Sequence, residues 1–96
     1  MSRQTPEGRV KDVVDKLLRK HHVYFEKPVT GGYGRNTLDY IGCSKGRYFA
    51  IETKPPGKEP TQLQAYVAGQ MRDAGGVTFV VIGDQGLQEL EEWLSR

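Results

Sequence analysis

Residues 37–54, TLDYIGCSKGRYFAIETK, hold the pattern on which the predicted architecture depends. The segments 38–42 and 47–54 are rich in β-branched and aromatic side chains, which favour strands. Between them, residues 44–46 (Ser-Lys-Gly) include a glycine that can adopt positive φ, so the two strands are predicted to form a hairpin. Residues 55–57 (Pro-Pro-Gly) end the second strand, because proline cannot donate to a β-ladder.

A helix is predicted before this hairpin. Thr5 is a suitable N-cap, Pro6 suits the first helical position, and Glu7 complements the positive end of the helix dipole. A short β-prone segment, residues 23–28, separates the helix from a glycine-rich loop. The helix is indicated by one apolar stripe with the helical period: Val10, Val13, Val14, Leu17 and Leu18.

The chain after the hairpin is predicted to form a helix, a strand and a last helix. Thr61 can cap the first of these helices, and Gly75-Gly76 ends it. Residues 77–82 are nearly all apolar, as in a strand that is buried on both faces. Asp84 can cap the last helix. The first of these helices carries an apolar stripe, and three leucines of the last helix are predicted to face inward. The stripe comprises Leu63, Tyr66, Val67 and Met71, and the leucines are Leu87, Leu90 and Leu94.

The order of elements is therefore α-β-β-β-α-β-α, and the predicted fold class is α/β. Because a crossover helix follows an antiparallel hairpin, the central sheet is expected to be mixed and flanked by helices. The 96 residues match one small domain, and we expect residues 1–96 to form it. No apolar run approaches the roughly 20 residues of a membrane span, so no membrane partner is expected.

The composition bears on three questions: which cysteine sites are possible, in which compartment the protein is expected, and what its charged surface can bind. The single cysteine, Cys43, excludes an internal disulfide and a cysteine-rich zinc site. The polar start, residues 1–4, lacks the apolar core of a secretory signal, so an intracellular, cytoplasmic protein is expected. Residues 1–58 carry 12 of the 14 basic side chains and 6 acidic ones, whereas residues 59–96 carry 2 basic and 6 acidic ones. This asymmetry favours a basic surface that binds a polyanion, and an unevenly charged solvated surface is the alternative.

Two basic regions are candidates for contacts with nucleic acid. The polar face of the first helix carries Lys11, Lys16 and Lys20. In the glycine-rich loop, Tyr33 can stack on a base and Arg35 can bind a phosphate. A plain flexible connection is an equally good interpretation of this loop.

Two carboxylates and an amine are predicted to share one surface of the sheet. Side chains two apart on a strand share a face, so Glu52 and Lys54 point the same way. The hairpin pairing brings Asp39 opposite residues 50–52. Carboxylates suit Mg²⁺, or Mn²⁺ in its place, and the backbone carbonyl of Thr53 is a candidate third ligand. The alternative is an aspartate in a turn and an ordinary surface pair of glutamate and lysine.

The chemistry that needs such a trio is phosphodiester hydrolysis. A divalent ion held by Asp39 and Glu52 can polarise the scissile phosphate. Lys54 can orient the attacking water or stabilise the charge that develops in the transition state. These roles predict a metal-dependent nuclease.

The segments 46–54 (GRYFAIETK) and 61–64 (TQLQ) make the chain resemble the VRR-NUC family of the PD-(D/E)XK nuclease superfamily. The resemblance extends from Glu7 to about Leu90. Two features differ: Leu38 stands before Asp39 where the superfamily pattern has proline, and the Val-Arg-Arg signature is absent.

The resemblance implies a restriction-endonuclease-like core and a set of site residues. Asp39 and Glu52 would be metal ligands, Lys54 the catalytic lysine, and Glu7 an additional acidic residue near the metal. Gln64 fits the family glutamine better than Gln62 does.

The resemblance also implies that small free-standing members, in bacteria and their phages, act as homodimers on branched DNA. A Holliday-junction resolvase is therefore the specific expectation. The alternatives are a non-catalytic nucleic-acid-binding module or phage regulator, and a nuclease that cuts flaps or single strands. Several large apolar side chains are in excess of what one small core can easily cover, and a dimer is expected to bury them: Tyr33, Tyr66, Trp93 and Leu94. Trp93 is assigned either to the core or to the dimer interface.

Overall fold

The structure, a computed structural model, describes residues 4–29 and 37–96. The predicted order α-β-β-β-α-β-α is confirmed in this part of the chain. No helix in it is long and apolar enough to cross a bilayer. The elements are α1 (Pro6–Lys20), β1 (Tyr24–Glu26), β2 (Tyr40–Ser44), β3 (Arg47–Lys54), α2 (Gln62–Asp73), β4 (Val77–Ile82) and α3 (Leu87–Ser95).

The sheet is mixed, as predicted. Its strands lie in the order β1-β2-β3-β4. The first three strands pair antiparallel, and β4 pairs parallel to β3 after the crossover through α2. Strand β3 therefore has a partner on each side, and its last residues lie at the centre of one end of the sheet.

The hairpin between β2 and β3 turns through two residues. Ser44 pairs with Arg47, while Lys45 and Gly46 have φ values of 53° and 80°. Positive φ at both positions is typical of a type I′ turn, whose twist matches that of the flanking strands. Strand β3 has the predicted bounds, whereas β2 begins at Tyr40 and not at residue 38.

The main core lies between the sheet and the pair α1 and α3. Trp93 of α3 contacts the rings of Phe49 and Phe79 edge-on, with centroids 5.6 and 5.3 Å apart. Trp93 and Leu94 are thus core residues, and the expectation that they form surplus apolar surface was wrong. The core comprises Val10, Val14, Leu18, Tyr40, Phe49, Ile51, Phe79, Val81, Leu90, Trp93 and Leu94.

The opposite face of the sheet is covered by α2 through small side chains. Ala68 of α2 belongs to a second cluster with Ala50 of β3 and Leu38. Contact through alanines brings a helix close to a sheet and leaves longer side chains beside the contact. Leu63 and Tyr66 are accordingly 52% and 64% exposed, so the core does not cover this part of the apolar stripe of α2.

Two valines are more exposed than their apolar patterns predict, and one helix cap lies at a different residue. Val80 is exposed because β4 is the edge strand, and Val13 lies beside the line of α1 that enters the core. The N-cap of α3 is Gly86, with φ 92°, and not Asp84. A Cβ at Gly86 would collide with the carbonyl oxygen of Val80, so only glycine fits this turn.

Candidate active site

Asp39 and Glu52 meet where β2 begins and β3 ends. The register pairs Tyr40 with Ile51, so Asp39, one residue earlier, comes opposite Glu52, one residue later. Residues opposite each other in an antiparallel pair face the same side of the sheet. The structure therefore brings together the two carboxylates that the sequence singled out.

Asp39 is fixed by Thr53 of the neighbouring strand. The Thr53 backbone N–H donates to Asp39 Oδ2 at 2.9 Å, and the Thr53 hydroxyl donates to the same oxygen at 2.8 Å. The carboxylate thus takes the place of a backbone carbonyl in the ladder, which explains why β2 starts only at Tyr40. Hydrogen bonds to an ionised acceptor are stronger than those between neutral groups, so this side chain is firmly oriented.

The backbone carbonyl of Thr53 faces the same site. Within a strand, the N–H and C=O of one residue point to the same edge, and those of the next residue point to the opposite edge. The Lys54 carbonyl accepts from Gly83 N–H at 2.9 Å, on the β4 side. The Thr53 carbonyl therefore points with its N–H toward Asp39, as a third oxygen ligand requires.

Glu52 is a buried carboxylate with two polar partners. It is only 2% exposed, its Oε2 accepts from Gln64 Nε2 at 2.6 Å, and Lys54 Nζ lies 3.6 Å from the same oxygen. Burial first, and then the Asp39 charge, raise the pKa of Glu52 from 4.5 to about 7. Lys54, a backbone hydrogen bond from Asp39 and Lys11 act in the opposite direction.

Gln64 reaches the site because of the way α2 begins. The Thr61 hydroxyl accepts from Gln64 N–H at 3.1 Å, and Gln64 Oε1 accepts from Thr61 N–H at 2.8 Å, which is a capping box. This leaves the amide nitrogen of Gln64 free to donate to Glu52. Gln62, the other candidate, is exposed.

Lys11 also lies in the site, although the sequence analysis predicted it to be a contact with nucleic acid on the polar face of the helix. Its Nζ is 3.2 Å from Thr53 Oγ1, 3.4 Å from Asp39 Oδ2 and 3.6 Å from Glu7 Oε1. Glu7 therefore reaches Asp39 through Lys11. The spacing of Glu7 and Lys11, one helical turn apart, was the signal that could have placed them on the same face.

The other basic residues predicted to bind nucleic acid lie away from the carboxylates or outside the described chain. Lys20 forms an ion pair with Glu91 at 2.9 Å, and Lys16 is exposed. Both line a groove of about 540 Å³ between α1 and α3. Tyr33 and Arg35 lie outside the described residues.

The donor atoms fit a hard divalent cation. Within residues 4–29 and 37–96, no three His, Cys, Asp or Glu side chains are grouped as a metal site of their own. Asp39, Glu52 and the Thr53 carbonyl nevertheless supply three oxygens at one end of β3. Oxygen ligands without sulfur or imidazole suit Mg²⁺ and Mn²⁺. Burial first, and then the charge of Asp39, disfavour the ionised form of Glu52, and a cation held by both carboxylates would favour that form.

Comparison with known proteins bears on the fold. No protein-family model matches the sequence, and no curated protein matches it. A solved structure described as a VRR_NUC domain matches with a TM-score of 0.73 and 20% sequence identity. The match covers 97% of this chain and 98% of that chain. The chain therefore has the fold of a VRR_NUC domain.

Proposed function

We propose that this protein is a nuclease of the VRR-NUC type, a Mg²⁺-dependent endodeoxyribonuclease. The observation that carries the proposal is the meeting of Asp39, Glu52 and Lys54 at one end of β3, in a fold shared with a VRR_NUC domain. Asp39, Glu52 and the Thr53 carbonyl would hold the cation, and Mn²⁺ would substitute for Mg²⁺. When bound, the cation supplies positive charge that polarises the phosphate.

Lys54 supplies a positive charge of the protein's own. Its side chain is 16% exposed, and its Nζ lies 3.6 Å from Glu52 Oε2. An ammonium held beside the carboxylates can reach the phosphate that they face, and can stabilise the charge that grows on it in the transition state. Lys54 is therefore proposed as the catalytic lysine.

Gln64 and Thr53 orient the two carboxylates. Gln64 donates to Glu52 and Thr53 donates to Asp39, so each carboxylate has one oxygen fixed by a neutral donor. Such partners keep ligands in place when a cation enters or leaves. Gln64 is proposed to act on catalysis through Glu52, and Glu7 through Lys11.

We propose a homodimer that cuts four-way DNA junctions as the specific activity. A two-fold dimer presents two equivalent sites, which suits the paired strands of a junction. Trp93 and Leu94 no longer support this idea, because they lie in the core. The support from apolar surface is now the exposed pair Leu63 and Tyr66, three residues apart on α2.

The enzymatic proposal is tested with Asp39→Asn, Glu52→Gln and Lys54→Met. Under single turnover with Mg²⁺, each variant should lose at least about a hundredfold in cleavage rate while still binding DNA. Lys45→Met, in the hairpin at the other end of β3, is the matched charge control. If the purified protein retains DNA but cuts no linear, flap, splayed or junction substrate with Mg²⁺ or Mn²⁺, the alternative of a binding module is correct.

Substrate choice and assembly are tested together on a plasmid with an extruded cruciform. Two coordinated nicks in one binding event yield linear plasmid, whereas separate nicks first accumulate open circles. The protein should sediment near twice 10.8 kDa and yield linear product first. A monomer that produces only open circles is a simpler nickase, and the junction proposal would then be abandoned.

A further inference from the structure

Lys11 lies among the oxygens of the site, although the predicted chemistry gave it no role there. Its ammonium is surrounded by Thr53 Oγ1, Asp39 Oδ2 and Glu7 Oε1, at 3.2, 3.4 and 3.6 Å. Carboxylate and hydroxyl oxygens of this kind also bind divalent cations. The ammonium therefore lies in a region of negative potential, and the same potential would attract a metal ion to Asp39.

The fold holds the backbone of Lys11 beside Asp39. The hydroxyl of Tyr40 lies 3.0 Å from the Lys11 carbonyl and 2.6 Å from Asp15 Oδ1, and Tyr40 is fully buried. Because Tyr40 directly follows Asp39, one tyrosine links the helical turn of Lys11 to the strand that carries the carboxylate. The packing of the fold thus keeps Lys11 next to the site.

Each of the two lysines lies near a different carboxylate. Lys54 Nζ lies 3.6 Å from Glu52, and Lys11 Nζ lies 3.4 Å from Asp39. The sequence pattern accounts for Lys54, which would contact the phosphate. Lys11 comes from the opposite direction, from α1, and its ammonium lies near oxygens of Thr53, Glu7 and Asp39.

We propose that Lys11 is an internal counter-cation: its ammonium neutralises Asp39 when no divalent cation is bound, and it weakens the binding of that cation to Asp39 and Glu52. The inference rests on the proposed function, because it requires these carboxylates to be metal ligands. Lys11 is then a positioning residue that sets metal affinity. Lys11 Nζ lies 3.4 Å from Asp39 Oδ2, so a divalent cation held by the same carboxylate would be near the ammonium. Repulsion between the two charges would weaken binding by about tenfold, even with the dielectric constant of water.

The test is direct metal binding without DNA. Lys11→Met removes the charge and keeps an unbranched apolar stem of similar length. Mn²⁺ should bind to Lys11→Met at least about tenfold more tightly than to the unaltered protein, as measured by calorimetry at about pH 8, where Glu52 is largely ionised. The rise in melting temperature that Mn²⁺ causes should also be larger in this variant.

The control and a second variant separate charge from packing. Lys16→Met makes the same change in net charge on an exposed part of α1 and should leave Mn²⁺ affinity nearly unchanged. Lys11→Gln, which is neutral but polar, should bind Mn²⁺ more tightly, as Lys11→Met does. If either neutral variant melts without cooperativity, the other carries the measurement.

The two proposals fail in different ways. If Mn²⁺ binding to the unaltered protein is lost in Asp39→Asn, the metal site stands; unchanged or weaker binding by both neutral Lys11 variants then overturns the counter-cation alone. If neither the unaltered protein nor the Lys11 variants bind Mn²⁺, or if Asp39→Asn binds it equally well, the proposed metal site fails and the role of Lys11 fails with it.

Discussion

Glu52 should make the metal-free protein less stable as the pH rises. The folded state raises the pKa of this carboxyl from 4.5 to about 7, chiefly through burial and then through the charge of Asp39. Below the pKa of the unfolded chain, Glu52 is protonated in both states and nothing is lost. Between about pH 4.5 and pH 7 the unfolded chain releases the proton that the folded protein keeps. Folding stability therefore falls with rising pH across this window, and the loss is complete above it.

The size of the loss follows from the pKa. Each tenfold change in an ionisation constant corresponds to about 1.4 kcal/mol, so a rise from 4.5 to about 7 corresponds to about 3 kcal/mol. Because Glu52 is only 2% exposed, solvent screens little of this cost. The loss is a large part of the roughly 5–15 kcal/mol that stabilises a typical domain.

Glu52→Gln removes the titrating group and leaves a side chain of the same shape. Its amide oxygen can still accept from Gln64. Urea unfolding with EDTA, at several pH values from about pH 4 to about pH 8.5, should show a free-energy difference between the two proteins that grows by about 3 kcal/mol in favour of Glu52→Gln. At the upper end the variant should melt more than about 10 °C higher. Saturating Mn²⁺ should remove much of the deficit of the unaltered protein and leave the variant unchanged.

Glu91→Gln is a control of opposite sign. Hydrogen bonds from Lys20 and His21 lower the pKa of Glu91, so ionisation of this exposed carboxyl favours the folded state. The variant should be no more stable than the unaltered protein at high pH. A constant offset between the curves of the unaltered protein and Glu52→Gln reflects altered hydrogen bonding alone. If their free-energy difference does not change with pH, the argument from burial and charge is refuted.

Two further predictions concern the hairpin strand and the basic helix. Gly42→Ala should lower the free energy of unfolding in urea by at least about 3 kcal/mol, because its Cβ would lie 2.7 Å from the buried ring of Phe49. Gly46→Ala has no atom within 4 Å of the new Cβ and should lower it by only about 1 kcal/mol, because of the positive φ of Gly46. Replacing Lys16 and Lys20 together with methionine should reduce the slope of log affinity for DNA against log salt concentration by about 2. Lys45→Met, the control in the hairpin, should leave the slope unchanged. If the double variant also leaves it unchanged, the DNA binds elsewhere.

The order of elements could be predicted because local signals agreed with the final packing. Thr61 and Gln64 form a capping box that the sequence spells out, and the turn at Lys45-Gly46 has the residues that its φ values need. The same agreement predicted that Asp39 lies opposite residues 50–52, since register in a hairpin follows from the turn, and the structure places it opposite Glu52. These features depend on neighbours in sequence or on a single pairing.

The errors arose where long-range contacts decided the outcome. Leu63 and Tyr66 have the period of a buried stripe, yet α2 rests on the sheet through Ala68 and its contact with Ala50. Val80 lies in an apolar strand, but its exposure depends on the position of β4 at the edge. Helical and strand periodicity show that a face is apolar, and not which part of it another element will cover.

The start of β2 and the position of Lys11 have a common explanation in Asp39. A carboxylate that accepts from the backbone of Thr53 acts as a side-chain extension of the ladder, so regular pairing ends at the residue where the site begins. The same oxygen attracts Lys11 from α1, away from the surface that helical periodicity assigned to it. At Asp39 the local rules give way to the contacts of a partly buried pair of carboxylates, and a fold can depart from its local preferences at a site. The early end of regular pairing and the inward position of Lys11 therefore both point to Asp39, independently of any sequence motif.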